Sequence, residues 1–418
     1  MEYIKSKDIF LLMQNTLRLI HPRLVDHGAR VAYMVYKMLE DTGTYEEFEL
    51  ADIVMVAALH DIGAYKTEAG VLNDMLRYES RDSRAHTIYG YLFFKYLSPV
   101  EELAKVIMYH HMDYEQLQKV DYQYKELAAY INIAEKMDIY YSAMGSQFNM
   151  QMFHKQAGTK LSEAGLNRFY EVAKKYDIFT RLKTGEYKKE LEYIIDFMIF
   201  SNEGKKKFCD MLMYCTGFRS EQCVVDTITT IHICDELASK LLMTEDMKEK
   251  LYYGALLHDL GMLAVPKEIV EAPKRLNSEE IKRVRMHVGV AEKILSNILR
   301  EDVLSIVLGH HEREDGSGYP KKLKANQMSQ EQKVLQIADT VTGMINKRNY
   351  RKPLDKDLVI VVLSEEAAKN RLDKQIVNTF VNFYDNIMMS VEKESAEVLR
   401  MYQMLNSQYA QISKRFKK

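Results

Sequence analysis

Two ordered sets of imidazole and carboxylate residues run through this chain. The first half holds His27, the pair His60-Asp61, His86, the pair His110-His111 and Glu135; the second holds Asp226, His258-Asp259, His287, His310-His311 and Asp339. The step from the opening residue to the His-Asp pair is 33 residues in the first set (27 to 60) and 32 in the second (226 to 258). The step from the lone histidine to the His-His pair is 24 (86 to 110) and 23 (287 to 310). A lone His86 or His287 on an apolar face would by itself be an ordinary hydrogen-bonded core residue, but independent packing choices do not reproduce a whole arrangement twice. Imidazoles and carboxylates in this proportion suit borderline first-row divalent ions such as iron, manganese, zinc or cobalt, of which iron or manganese is expected here, and not calcium, which takes an all-oxygen shell. Seven donors exceed the need of one ion, so each set predicts two divalent metal ions per site. Two ions about 3.5–4 Å apart, bridged by a carboxylate and a water, acidify that water and clamp its in-line attack on phosphorus. The chemistry this predicts is phosphoester hydrolysis. His21, His154 and His232 have no counterpart in the other half and are expected to be ordinary histidines.

The elements that carry these residues are expected to be helices. Six prolines and 18 glycines in 418 residues leave long unbroken stretches, and apolar positions recur at three and four. His27, Val31, Met34, Val35 and Met38 form one stripe, and Leu103, Val106, Ile107, His110 and His111 have the spacing of a buried helix face. Both His-Asp pairs close strongly apolar runs, Ile53 to Leu59 and Leu251 to Leu257, and Gly63 and Gly261 then stop the helix. A carboxylate at such a buried helix end needs an opposite charge or hydrogen bonds to compensate it, and a metal cation is one such compensation. Leu161-Ser162 precedes Phe169 as Leu372-Asp373 precedes Phe380, at the same spacing of eight, so the repeat outlasts the ligands. A repeat of about two hundred residues is a whole domain rather than a solenoid unit. The polar stretch Ser201 to Lys207 sets the expected boundary, giving domains 1–200 and 201–418. From Phe380 to Lys418 there is no proline or glycine, and Ile387, Val391, Val398, Tyr402, Leu405 and Tyr409 predict a long terminal helix that either packs back on its own domain or forms a homodimer seam.

Composition agrees with an all-α, two-domain globular protein: 47% hydrophobic and 28% charged residues allow a full core in each half. A net charge of −2 supplies no overall basic field for a DNA or RNA polymer. Cys209, Cys215, Cys223 and Cys234 are too sparse for a disulfide framework and are expected as reduced thiols. No membrane-spanning run and no signal-peptide core are present, so the expectation is a cytoplasmic protein.

The second half resembles the HD-GYP family, a metal-dependent phosphodiesterase branch of the HD superfamily that hydrolyses cyclic dinucleotides. The resemblance rests on Ala255 to Gly261 with its His258-Asp259 pair, Val265-Pro266, His287, His310-His311-Glu312-Arg313 through Gly318-Tyr319-Pro320, Ile337-Ala338-Asp339, and Arg348, Tyr350 and Arg351. It implies that Asp259 bridges the metals, that His258, His287, His310, His311 and Asp339 complete the shell, and that Tyr319, Arg348 and Arg351, with Arg313, meet the substrate. Four positions depart from the family pattern: Asp226 stands where the opening histidine belongs, Gln222 where trinuclear members carry Glu, Met262 where a lysine follows the His-Asp-x-Gly, and Thr342 where an acidic residue follows the last ligand. The first half resembles the broader HD superfamily. It keeps the opening His27 but has no Gly-Tyr-Pro after His110-His111, and Met144 stands at the position of Arg348. The expected function is hydrolysis of cyclic di-GMP or 3′,3′-cyclic GMP-AMP by a hydroxide bridging the dinuclear metal site of the second domain, with His258 and Asp259 as the central pair. The first domain is then a regulatory or structural metal site. Two alternatives remain: a catalytically weak nucleotide-sensing module, and an HD phosphohydrolase or di-iron enzyme acting through the first site.

Overall fold

The computed structural model describes residues 3–67, 84–217, 221–347 and 352–416. Among the described residues every regular element is a helix, with only isolated β-bridges besides, as the three- and four-residue periodicity predicts. The chain divides into two compact units, and neither is a contiguous stretch. One comprises Ile9–Cys215 with Met404–Lys418, the other Thr216–Gln403 with Met1–Asp8. They are called the first and second unit below.

In the first unit, α1 (Pro22–Glu40) is opened by His21, whose Nδ1 accepts the Leu24 amide N–H. This helix end is the local role of one histidine that has no match in the other half. Its stripe of Val31, Met34, Val35 and Met38 is wholly buried. α1 packs on α2 (Glu47–Ala58), and with α3 (Arg84–Leu97), α4 (Ala104–Tyr109) and α5 (Lys125–Met144) it surrounds the histidines. α4 is shorter than its apolar spacing predicts, because Leu103 lies in a preceding 3-10 turn and His110 and His111 lie beyond the last helical residue. Ser162 caps the following Glu163–Lys175 helix, and Asp373 caps Lys374–Asn382 in the other unit, which explains the spacing-of-eight repeat.

The second unit repeats the plan with α6 (Glu221–Lys240), α7 (Glu245–Leu257), α8 (Ser278–Leu295), α9 (Glu301–Leu308) and α10 (Gln330–Ile345). Its core joins Ile233, Leu237, Leu251, Ala255, Ile306, Leu335, Ala338, Val341 and Phe380. α8 and α10 each start with a reciprocal capping box, Asn277 with Glu280 and Ser329 with Gln332, which satisfies two otherwise orphaned amides at each start. The terminal helix α11 (Tyr384–Phe416) is 33 residues long. Its stripe of Ile387, Val391, Val398, Tyr402 and Leu405 is buried within the chain itself. In the first unit, the end of α11 stacks Tyr409 on Tyr89 with ring centroids 4.3 Å apart, and the Tyr89 hydroxyl donates to Asn406. Cys209 and Cys234 are free, buried thiols. No helix among the described residues is long and apolar enough to cross a membrane.

Gly63 and Gly261 differ from their expected role. Neither has the positive φ of a left-handed helix stop. Instead a Cβ at Gly261 would lie 1.9 Å from the His287 carbonyl oxygen, and one at Gly63 would lie 2.0 Å from that of His86. Each glycine lets the helix bearing the lone histidine lie backbone to backbone on the turn bearing the His-Asp pair.

Candidate metal centres

Helix ends aim the histidines. A helix leaves its last carbonyls without intrahelical partners, and a histidine at or just past the end can donate its Nδ1–H to one of them. His60 donates to Ala57 O at 2.7 Å and His110 to Ile107 O at 2.6 Å. In the second unit His258 donates to Ala255 O at 2.7 Å and His310 to Val307 O at 2.6 Å. His287, inside α8, makes the same bond to Val284 O at 2.6 Å. A carbonyl only accepts, so these bonds fix the proton on Nδ1 and leave Nε2 as a lone pair directed inward, the form a metal binds.

All seven candidates of the first unit converge. Asp61, His86, His110 and His111 form one group and His27, His60, Asp61 and Glu135 another, each with donor atoms within 4.8 Å of one another. Asp61 belongs to both groups, as a bridging carboxylate must. The buried Nε2 atoms of His27, His60, His110 and His111 have no hydrogen-bond partner, an arrangement that costs free energy unless a cation meets them. Burial, reinforced by neighbouring imidazoles, drives the pKa of His110 and His111 well below the usual value and keeps both neutral. Burial would raise the Asp61 carboxyl, but the facing imidazoles, His60 and His86 foremost, outweigh it and bring it to about 2. Behind His27 stands a contact the sequence pattern did not single out. Asp138 accepts from His27 Nδ1 at 2.7 Å and takes a two-point bond from Arg30 at 2.5 and 2.8 Å. Its signal was present as an acid three residues after Glu135 and an arginine three after His27.

In the second unit six of the seven candidates converge. Asp259, His287, His310 and His311 form one group and His258, Asp259 and Asp339 the other, with Asp259 shared. Asp259 Oδ1 faces His287 at 3.5 Å and His310 at 3.8 Å, while Oδ2 faces His258 at 3.5 Å. His287 and His310 bring their Nε2 atoms to 3.1 Å of each other. Both Nδ1 atoms are already donating, so in the neutral state two lone pairs confront each other. Protonation is a poor remedy, since burial and the surrounding imidazoles push His310 well below the usual pKa. The donor set therefore fits a cation. Burial lifts the Asp339 carboxyl to about 6 against the opposing pull of His258.

Asp226, the candidate at the opening position, is not among the donors that converge. Its Oδ1 accepts Gln222 Nε2 at 2.9 Å and Asn346 Nδ2 at 2.7 Å, while Thr342 Oγ1 lies 2.9 Å from Thr230 Oγ1. Where the first unit has His27, Arg30 and Asp138, the second has amides and hydroxyls around a carboxylate. The departures at 222 and 226 are thus bonded to each other, while the one at 342 pairs with a threonine of the same helix as Asp226.

The Gly-Tyr-Pro loop stands against the second site. The Tyr319 ring lies 4.7 Å from the His311 ring, and burial raises the phenol pKa, so its hydroxyl keeps its proton. Glu312 sets this loop. Its buried carboxylate accepts the backbone N–H of Lys321 at 2.6 Å and of Leu323 at 2.8 Å. A Cβ at Gly318 would lie 2.4 Å from the Arg313 nitrogen, so only glycine lets the loop fold over this backbone. Glu312→Gln would turn one oxygen into a donor facing a donor, at about 1–3 kcal/mol. We expect roughly a tenfold fall in turnover with metal content retained, measured by steady-state kinetics beside elemental analysis. Arg313 is engaged within the protein, donating to Glu312 O at 3.1 Å and Thr340 Oγ1 at 3.4 Å. Arg348, Tyr350 and Arg351 lie outside the described residues.

The two sites differ in openness. In the first, the Asp61 side chain is 5% exposed and Glu135 0%; in the second, Asp259 is 33% and Asp339 22% exposed. Among the described residues, the carboxylates of the second site are thus the more accessible to solvent.

Residues 24–140 and residues 213–376 each match the HD domain family. Over 406 residues the chain is 24% identical to 3′3′-cGAMP-specific phosphodiesterase 1 of Vibrio cholerae, covering 89% of this chain and 90% of that protein. Over 169 residues it is 30% identical to a cyclic di-GMP phosphodiesterase of Thermotoga maritima, covering 39% of this chain and 43% of that protein. It thus spans nine tenths of the former and less than half of the latter. A solved cyclic GMP-AMP specific phosphodiesterase of Vibrio cholerae superimposes with a TM-score of 0.59 over 92% of this chain and 98% of that one, at 15% identity. At that identity the likeness speaks for the fold.

Proposed function

We propose that this chain, which belongs to the HD-domain family and carries two HD domains, is a metal-dependent phosphodiesterase that hydrolyses a cyclic dinucleotide in its second unit. The observation that carries the reading is the open cluster in which Asp259 is shared between two donor groups and the Nε2 atoms of His287 and His310 face each other. His258, Asp259, His287, His310, His311 and Asp339 would hold two divalent ions, iron or manganese. When bound, such a pair supplies a water acidic enough to attack phosphorus near neutral pH, and positive charge against the phosphate.

The rest falls to the chain. Carbonyls of the helix ends hold the imidazoles in the metal-binding tautomer, and burial keeps His310 and His311 neutral. Tyr319, protonated beside His311, offers an O–H to a phosphate oxygen. Asp226 then acts through its amide-held carboxylate near His258 and not as the opening imidazole ligand. Arg348 and Arg351 are proposed as phosphate contacts on the family resemblance alone.

For the first unit we propose two divalent ions held by His27, His60, Asp61, His86, His110, His111 and Glu135 in a regulatory or structural role. Its enclosure and the lack of a Gly-Tyr-Pro loop favour that role over catalysis. Similarity along nearly the whole chain to a protein named for 3′3′-cGAMP is the reason to test that nucleotide beside cyclic di-GMP. Protein loaded with iron or manganese is expected to linearise at least one of the two, followed by chromatography of the product. Binding of both nucleotides without turnover at saturating metal would replace this reading with the sensing-module alternative.

A further inference from the structure

We infer that Arg285 binds the phosphate of the cyclic dinucleotide that is not under attack, an inference that rests on the phosphodiesterase reading above. Arg285 lies on α8 two residues before His287, so the helix that supplies a candidate metal ligand also supplies this guanidinium. Its guanidinium carbon is 4.9 Å from the centre of the Tyr319 ring, and that ring is 4.7 Å from His311. A path therefore leads outward from the donor cluster, through one tyrosine, to one arginine.

The charge of Arg285 is not spent on the protein. The side chain is exposed, and among the described residues no carboxylate pairs with it. On the same helix, by contrast, Lys282 pairs with Glu279. Stacking on an aromatic face holds a guanidinium in one plane at little entropic cost and leaves its edge N–H groups free to grip an anion. A planar fork of that kind matches phosphate oxygens.

The substrate supplies the anion. A cyclic dinucleotide carries two phosphodiesters, and a cation cluster can neutralise only the one being cleaved. The second needs a separate cation, displaced from the cluster by part of the macrocycle. A guanidinium one aromatic ring beyond His311 meets that need. An arginine two residues before a histidine reads in sequence as a solvated helix face, and only its contact with Tyr319 sets it apart.

The test compares Arg285→Ala and Arg285→Lys with the wild type on cyclic di-GMP, 3′,3′-cyclic GMP-AMP and bis(p-nitrophenyl) phosphate, a diester with a single phosphate. Arg285→Ala is expected to raise KM for the dinucleotide about tenfold relative to any change on the single-phosphate diester, with kcat changing less than KM and Arg285→Lys recovering part of the loss. An unchanged KM for the dinucleotide overturns the inference. Equal losses on both kinds of diester also overturn it, because they would mean that Arg285 only props Tyr319. A wild type that cleaves bis(p-nitrophenyl) phosphate but neither dinucleotide sinks the phosphodiesterase reading and this inference together, whereas an active wild type with an indifferent Arg285→Ala sinks this inference alone.

Discussion

Asp259→Asn is expected to lower cyclic-dinucleotide turnover by roughly a thousandfold or more, about 4 kcal/mol in barrier height. The substitution keeps the volume and removes the charge. One oxygen of Asp259 faces His287 and His310 and the other faces His258, so an amide would present a donor to one of the two groups. With the carboxylate gone, two cations at adjacent positions repel each other without a shared anion between them. The matching change in the first unit, Asp61→Asn, is expected to cost less than tenfold in turnover while lowering the metal content of that unit. The comparison is made by steady-state rates and elemental analysis on the two variants side by side. The reverse order, with Asp61→Asn crippling and Asp259→Asn mild, would move the chemistry to the first unit.

Removing divalent metal is expected to lower the melting temperature of the first unit by about 5–10 °C. A ligand present at a hundred times its dissociation constant stabilises by about 2.7 kcal/mol, and a domain of this size shifts by roughly 2–4 °C per kcal/mol. The physical ground is the enclosed set of His27, His60, His110 and His111 nitrogens with no hydrogen-bond partner, which metal binding would satisfy. Scanning calorimetry in the His258→Ala/Asp259→Ala background isolates the contribution of this site. Chelation should depress the transition and added manganese should restore it. A transition indifferent to chelator would show that the cluster holds no ion.

The candidate sites were legible because a ligand set constrains order and spacing. Helix ends and a fixed histidine geometry recur in both halves, so residues chosen on spacing alone meet in space, all seven in the first unit and six in the second. Asp226 escaped because its partner Asn346 lies 120 residues further on, and a sequence pattern carries no sign of a bond that long. Asp138 and Glu312 were present beside recognised residues, yet their roles depend on His27 and on a loop backbone whose course only the fold reveals. Gly63 and Gly261 show the same limit. Their position after the His-Asp pair was evident, but their cause is a carbonyl on another helix and not a turn of their own chain.

The ends of the chain also escaped. The terminal helix was expected from its composition, but not that its last turns complete the unit begun by Ile9, nor that Tyr3 lies beneath the cations of Lys250 and Arg300 in the unit that starts at Thr216.

That exchange of end segments has a consequence for biosynthesis. A ribosome makes Ile9–Cys215 before the second unit, yet the strip that completes this bundle, Met404–Lys418, emerges only after Thr216–Gln403. The first unit therefore waits, unfinished, until the second has been synthesised, and no single scissile position between Ile9 and Gln403 would release either unit intact.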